Sequence, residues 1–135
     1  MNAIRLIPIT LLGSLLVACS STDTRTASLA GEVFYLQRSA LPSAATLSVS
    51  LQDVSRADAS ALSLAQQNTP INGQVPLPFR LEYDPRQVLP GHSYAVSARI
   101  EANGQLLFIS TERHTVKLDG SDPQPLRIRV KPAQP

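Results

Sequence analysis

An all-β fold, a single β-sandwich of immunoglobulin-like or transthyretin-like size, is what this sequence predicts, on three observations. Between Gly31 and Val130, apolar residues recur at every second position in run after run, separated by turns. An Asn-Gly pair at 103–104 lies between two such alternating runs. Eleven prolines and six glycines are spaced along the chain as punctuation. A period of two is the signature of strands with one buried and one wet face.

The elements follow in order. Residues 32–37 (Glu-Val-Phe-Tyr-Leu-Gln) form a first strand, ended by Leu41-Pro42. In 46–52, Leu47, Val49 and Leu51 alternate with Ser48, Ser50 and Gln52. Residues 53–58 break the pattern and predict a loop or one helical turn. Residues 62–67 predict an edge strand, because Pro70, Pro76 and Pro78 follow and proline is tolerated at edges. Phe79, Leu81 and Tyr83 alternate up to the Asp84-Pro85 turn, and Leu89-Pro90-Gly91-His92 is a second turn.

Tyr94, Val96, Ala98 and Ile100, then Leu107 and Ile109, flank Asn103-Gly104. This reads as a hairpin with a type I′ turn. A plain two-residue turn places Ile100 opposite Leu107 and Ala98 opposite Ile109. Leu106 and Phe108 then fall on the outer face, where an apolar pair marks a candidate partner-binding site. Leu126, Ile128 and Val130 form the last strand. The expected core is Val33, Leu47, Val49, Leu51, Phe79, Leu81, Val96, Ile100, Leu107, Ile109, Ile128 and Val130, from about seven strands in the domain 30–131.

Ahead of this domain lies a different kind of sequence. Residues 1–5 carry a positive charge, and residues 6–17 are an apolar run broken only by Pro8, Thr10, Gly13 and Ser14. That run has the length of a signal-peptide core and falls short of the ~20 residues of a spanning helix. It ends in Leu16-Val17-Ala18-Cys19, and Cys19 is the only cysteine in the chain. Small and aliphatic residues before a lone cysteine are what a lipoprotein signal peptidase reads. Residues 1–18 are thus expected to be removed and Cys19 acylated, attaching the protein to a membrane; more than one acyl chain holds stably, at ~0.8 kcal/mol per buried methylene. Residues 19–29 read as the lipidated cysteine and a polar tether, nine flexible residues reaching roughly 15–18 Å. Ser20 stands where an aspartate would retain the protein at an inner membrane, which points to the outer membrane with the domain facing the periplasm.

Composition excludes several functions. Beyond residue 18 there are 11 basic and 10 acidic side chains, scattered and without a run, so no nucleic-acid partner is indicated. His92 and His114 have no second ligand at metal spacing, and Asp53 and Asp58 lack the spacing of a calcium loop and read as turn caps. No nucleophile elbow and no phosphate-binding glycine loop is present. The chain is therefore read as a non-enzyme without a cofactor.

Gly31-Glu32-Val33, Ala40-Leu41-Pro42, residues 47–55 (Leu-Ser-Val-Ser-Leu-Gln-Asp-Val-Ser), Ala57-Asp58-Ala59, Pro78-Phe79, residues 94–100 and Leu107-Phe108-Ile109 together resemble the YbaY/YscW type of bacterial lipoprotein. The resemblance spans Gly31 to about Val130 and is nearer the YbaY branch. It implies an outer-membrane lipoprotein with a β-sandwich, here a non-catalytic binding module of the envelope whose protein partner is not given by its residues. In the YscW branch it implies a pilotin, a lipoprotein chaperone that escorts the secretin ring of a type III secretion system.

If Cys19 is the sole attachment, Cys19→Ala moves the protein from the membrane to the soluble fraction, unprocessed or cut elsewhere, with its domain intact. Fractionation and circular dichroism check this; a variant still firmly membrane-bound would contradict it.

Overall fold

The structure, a computed structural model, describes residue 13 and residues 25–134; the signal-like run and Cys19 lie outside the described residues. Nine strands and one 3-10 turn make up the described chain: β1 Ala27–Phe34, β2 Ala45–Asp53, β3 Leu62–Pro70, β4 Leu77–Tyr83, the turn Pro85–Gln87, β5 Tyr94–Ala102, β6 Gln105–Ile109, β7 His114–Val116, β8 Leu126–Arg129 and β9 Lys131–Pro132. They form two sheets, one of order β4-β1-β8 and one of order β3-β2-β5-β6-β9 with β7 also paired to β5. All pairings are antiparallel except β1 with β8.

The alternation in the sequence is the alternation in burial. In β4 each odd residue from Leu77 to Tyr83 is buried and each even one exposed, and in β2 Leu47, Val49 and Leu51 are inside. Of the expected core, ten residues are buried, from Val33 to Val130. Leu29, Tyr35, Leu41, Ala45, Ile71, Leu77, Tyr83, Tyr94, Val116 and Leu126 join them. Among the described residues no polar or charged side chain is buried.

The first strand runs over Ala27–Phe34 and not 32–37, so its first residues come from the stretch read as tether. Leu29, Gly31 and Val33 face inward, with Leu29 opposite Leu81 and Gly31 opposite Phe79. Gly31 is at the centre of this strand because the Phe79 ring occupies the place of a side chain: a Cβ there would lie 2.6 Å from the ring and 2.6 Å from the Leu126 carbonyl oxygen. A glycine inside a strand marks such a close approach.

The hairpin turn forms as expected, with Asn103 and Gly104 both at positive φ (52° and 75°). Its register does not. Glu101 pairs with Leu106, but Ile100 pairs with Phe108, so β6 carries a bulge at Leu107. One extra residue turns every later side chain to the other face. Phe108 therefore points into the core, 8% exposed, and stacks on Tyr35 with centroids 4.2 Å apart and planes 5° apart. Leu107 and Ile109, expected inside, are only partly buried. The Leu107 carbonyl accepts the Ala133 N–H at 2.9 Å, so the returning C-terminus seats the bulge.

Two further corrections concern the end of the chain. Residues 126–131, read as one strand, divide between the sheets: Leu126–Arg129 pairs with β1, Val130 donates its N–H to Phe34 O at 2.9 Å, and Lys131–Pro132 pairs with β6. The short β7 was hidden because its three residues are too few to show a period. The edge position expected for 62–67 is observed.

Gly31→Ala is expected to destabilise the domain by about 1–3 kcal/mol through overpacking. Phe108→Ala should cost about 3–5 kcal/mol. Urea unfolding checks both, and a Phe108 variant of unchanged stability would contradict the inward register.

Candidate functional site

The strand registers define two ends of the sandwich. Ala27, Tyr83, Asp53, Tyr94, Leu62 and Val116 mark one, which we term the N-terminal end. The Asn103-Gly104 turn and the links from β1 to β2 and β3 to β4 mark the other.

At the N-terminal end, the outgoing strand β2 and the incoming strand β5 are tied by side chains beyond their ladder. Asp53 Oδ1 accepts the Ser55 N–H at 3.0 Å and the Ser55 hydroxyl. Asp53 Oδ2 meets His92 Nδ1. Ser55 Oγ in turn accepts the Ser93 N–H at 2.8 Å, and Val54 N–H donates to Ser93 O at 2.8 Å. The Ser55 hydroxyl, then His92 and the Ser55 amide, hold the Asp53 carboxyl down at about 2. Hydrogen bonds to the charged form do this.

Serine, histidine and aspartate thus meet, but in an order unlike a nucleophilic triad. There the serine hydroxyl bonds to the imidazole; here hydroxyl and imidazole both bond to the carboxylate. The cluster is a clasp that closes the loop 54–61 onto the turn before β5. Asp53 caps a turn as its sequence suggested; its link to His92, 39 residues away, has no local signal.

Against this clasp lies an open cavity of about 560 Å³, whose lining combines Leu62, Leu64 and Leu89 with Asp53, Arg56, Gln87, His92 and the small residues of the loop 54–61. Leu62 is 69% exposed and Leu89 48% exposed. Neither was singled out in the sequence, although a leucine in the Leu89-Pro90-Gly91 turn is an apolar residue where turns are usually polar. The loop 54–61 lies here, at the opposite end from Leu106, and does not cover it.

The outer face of the six-stranded sheet carries a shallow polar hollow of about 310 Å³. Ser50 and Ser97 hydroxyls meet there at 2.9 Å, and Ser110 Oγ accepts the Ala98 N–H at 3.0 Å. No aromatic side chain lines it. Leu106 is on this outer face, half-buried opposite Glu101, whereas its expected companion Phe108 is in the core. The apolar patch foreseen for these two does not exist as a pair. Among the described residues, no group of three His, Cys, Asp or Glu side chains is arranged to hold a metal ion.

Residues 24–128 match the family of type III secretion system lipoprotein chaperones, YscW. The chain belongs to that family. The uncharacterized lipoprotein YbaY of Escherichia coli (strain K12) is similar, 41% identical over 81 residues, which are 59% of this chain and 43% of that protein. This chain therefore spans less than half of that curated relative. Among solved structures it resembles an alternative pilotin from the type II secretion system of Vibrio cholerae, with 44% identity, a TM-score of 0.74, and coverage of 78% of this chain and 96% of that one. The YscW family is chaperone-like in kind, not enzymatic. In this YscW-family sandwich the clasp serves the loop, and the apolar cavity beside it is the feature able to receive another surface.

The clasp makes a pH prediction. The Asp53 carboxyl sits below its ordinary 3.8, so its stabilisation is present above about pH 4 and lost as pH falls through about 2. Asp53→Asn is expected to lower the melting temperature at pH 7 and to flatten its decline between pH 4 and 2. Parallel acid titrations of both proteins check this; identical curves would contradict it.

Proposed function

We propose that this protein is a pilotin-type lipoprotein chaperone: a non-catalytic domain, held at the outer membrane by acylated Cys19, that binds a secretin subunit in the periplasm and carries it to its site of assembly. The observation that carries the reading is the likeness to the Vibrio cholerae alternative pilotin over nearly all of that chain, at an identity well above what fold alone requires. The family match supports it independently. The two matches name different secretion systems, and the proposal concerns the secretin such systems share.

The geometry agrees with binding and not with chemistry. The Ser55 hydroxyl is spent on the Asp53 carboxylate and not on the imidazole, the hydroxyls of the polar hollow pair with one another, and the cavity beside the clasp presents three leucines. Between the two readings of the sequence, an envelope module of unspecified partner and a pilotin, these comparisons favour the pilotin.

The test is deletion of the gene and complementation with the wild type or Cys19→Ala. Secretin multimers are expected in the outer membrane only with the lipidated protein, falling at least about tenfold without it, the ratio that about 1.4 kcal/mol of binding free energy would give if assembly followed occupancy. Secretin that assembles normally in the deletion strain would overturn the proposal.

A further inference from the structure

The position of the N-terminus relative to Leu62 and Leu89 carries an inference about how the domain stands on its membrane. It rests on the reading of Cys19 as the lipid anchor. β1 begins at Ala27, opposite Tyr83. From Tyr83 the chain passes through the Pro85–Gln87 turn and Leu89 to β5, and Leu89 N–H donates to the Tyr94 hydroxyl at 2.8 Å. Leu62, which opens β3 opposite Asp53, is at that same end. The anchored end of the sandwich and its exposed leucines are therefore one surface.

Length decides the rest. Eight Cα–Cα steps separate Cys19 from Ala27, and at ~3.6 Å per residue they reach at most about 29 Å. A nine-residue strand such as β2 is itself about 30 Å long. The far end of the sandwich, with Leu36 (62% exposed), can meet the bilayer only if the whole link is stretched alongside the domain. The N-terminal end meets it with the link slack.

We infer that Leu62 and Leu89 are a membrane-contact surface, dipping into the headgroup and acyl boundary of the bilayer that holds Cys19 and fixing the domain's orientation there. Charge does not drive this contact. In the segments at this end Arg25, Arg56, Arg86 and Lys117 stand against Asp53, Asp58, Asp84, Asp119 and Asp122, with Asp84 paired to Arg86 and Asp53 to His92, so neither sign is in large excess. Contact through leucines at a near-neutral surface should survive ~1 M salt, where the Debye length is about 3 Å. Arg56, which lines the same cavity, can lay its aliphatic stem along the leucines and keep its charge in water.

The chain has no tryptophan, so a single introduced one reports alone. Leu62→Trp, Leu89→Trp and, as the distant control, Leu36→Trp replace exposed residues and leave the core untouched. The full-length lipidated proteins are reconstituted into vesicles of phosphatidylethanolamine and phosphatidylglycerol with brominated acyl chains. Emission from positions 62 and 89 is expected to be quenched about threefold more than from 36, as for a ring ~5–10 Å into the boundary, and equally in high salt. Equal, weak quenching at all three positions in protein that floats with the vesicles overturns the contact and leaves the anchor standing. Failure to float overturns the anchor and the contact together. Shielding of position 62 that appears only when a secretin subunit is added assigns the surface to a protein partner and overturns the inference.

Discussion

Burial of alternating side chains between two facing sheets holds this molecule, with no reserve behind it. The one cysteine cannot form an internal disulfide, no polar side chain is buried among the described residues, and most of their ion pairs lie at the surface, the Asp53–His92 pair being the most enclosed. Surface pairs contribute little. The ordering entropy of the chain must therefore be offset by a core of aliphatic residues and a few aromatic rings. Positions where a neighbouring strand of the same sheet fills the space above a residue are in consequence the least tolerant. Gly31 is the sharpest case, since the space its side chain would need is filled from the opposite strand.

The fold was legible wherever it follows from local period. β2, β4 and β5 read directly, because each alternates over seven or more residues. The type I′ turn was legible for the same reason, as both its residues tolerate positive φ. What failed were features set from a distance. Nothing near Phe108 announces a bulge; it is specified by Tyr35 on one side and by the returning C-terminus on the other. A single displaced residue then exchanged the faces of Phe108 and Ile109. Leu29 was lost to the serine- and threonine-rich composition around it, although its partner Leu81 was recognised.

The candidate site was less legible than the fold. Asp53, Ser55 and His92 were each visible as turn residues, but a clasp across 39 positions needs the β2–β5 pairing to exist first. Leu62 and Leu89 gain meaning only when the register places them at one end. Membership in the YscW family, by contrast, was readable from strand motifs that serve packing. The residues that declare the family are thus mostly those that build the sandwich.

The parallel pairing of β1 with β8 bears on how the protein is made. Gly31 lies opposite Leu126, so the central strand of the three-stranded sheet finds one neighbour only near the end of the sequence. The chain then crosses at Val130 to the other sheet and seats the bulge of β6. A chain made N-terminus first cannot complete either sheet until almost its last residue is available. The loop closed by this pairing, nearly a hundred residues, adds only modestly to the entropic cost over a shorter one, so late completion costs the fold little stability.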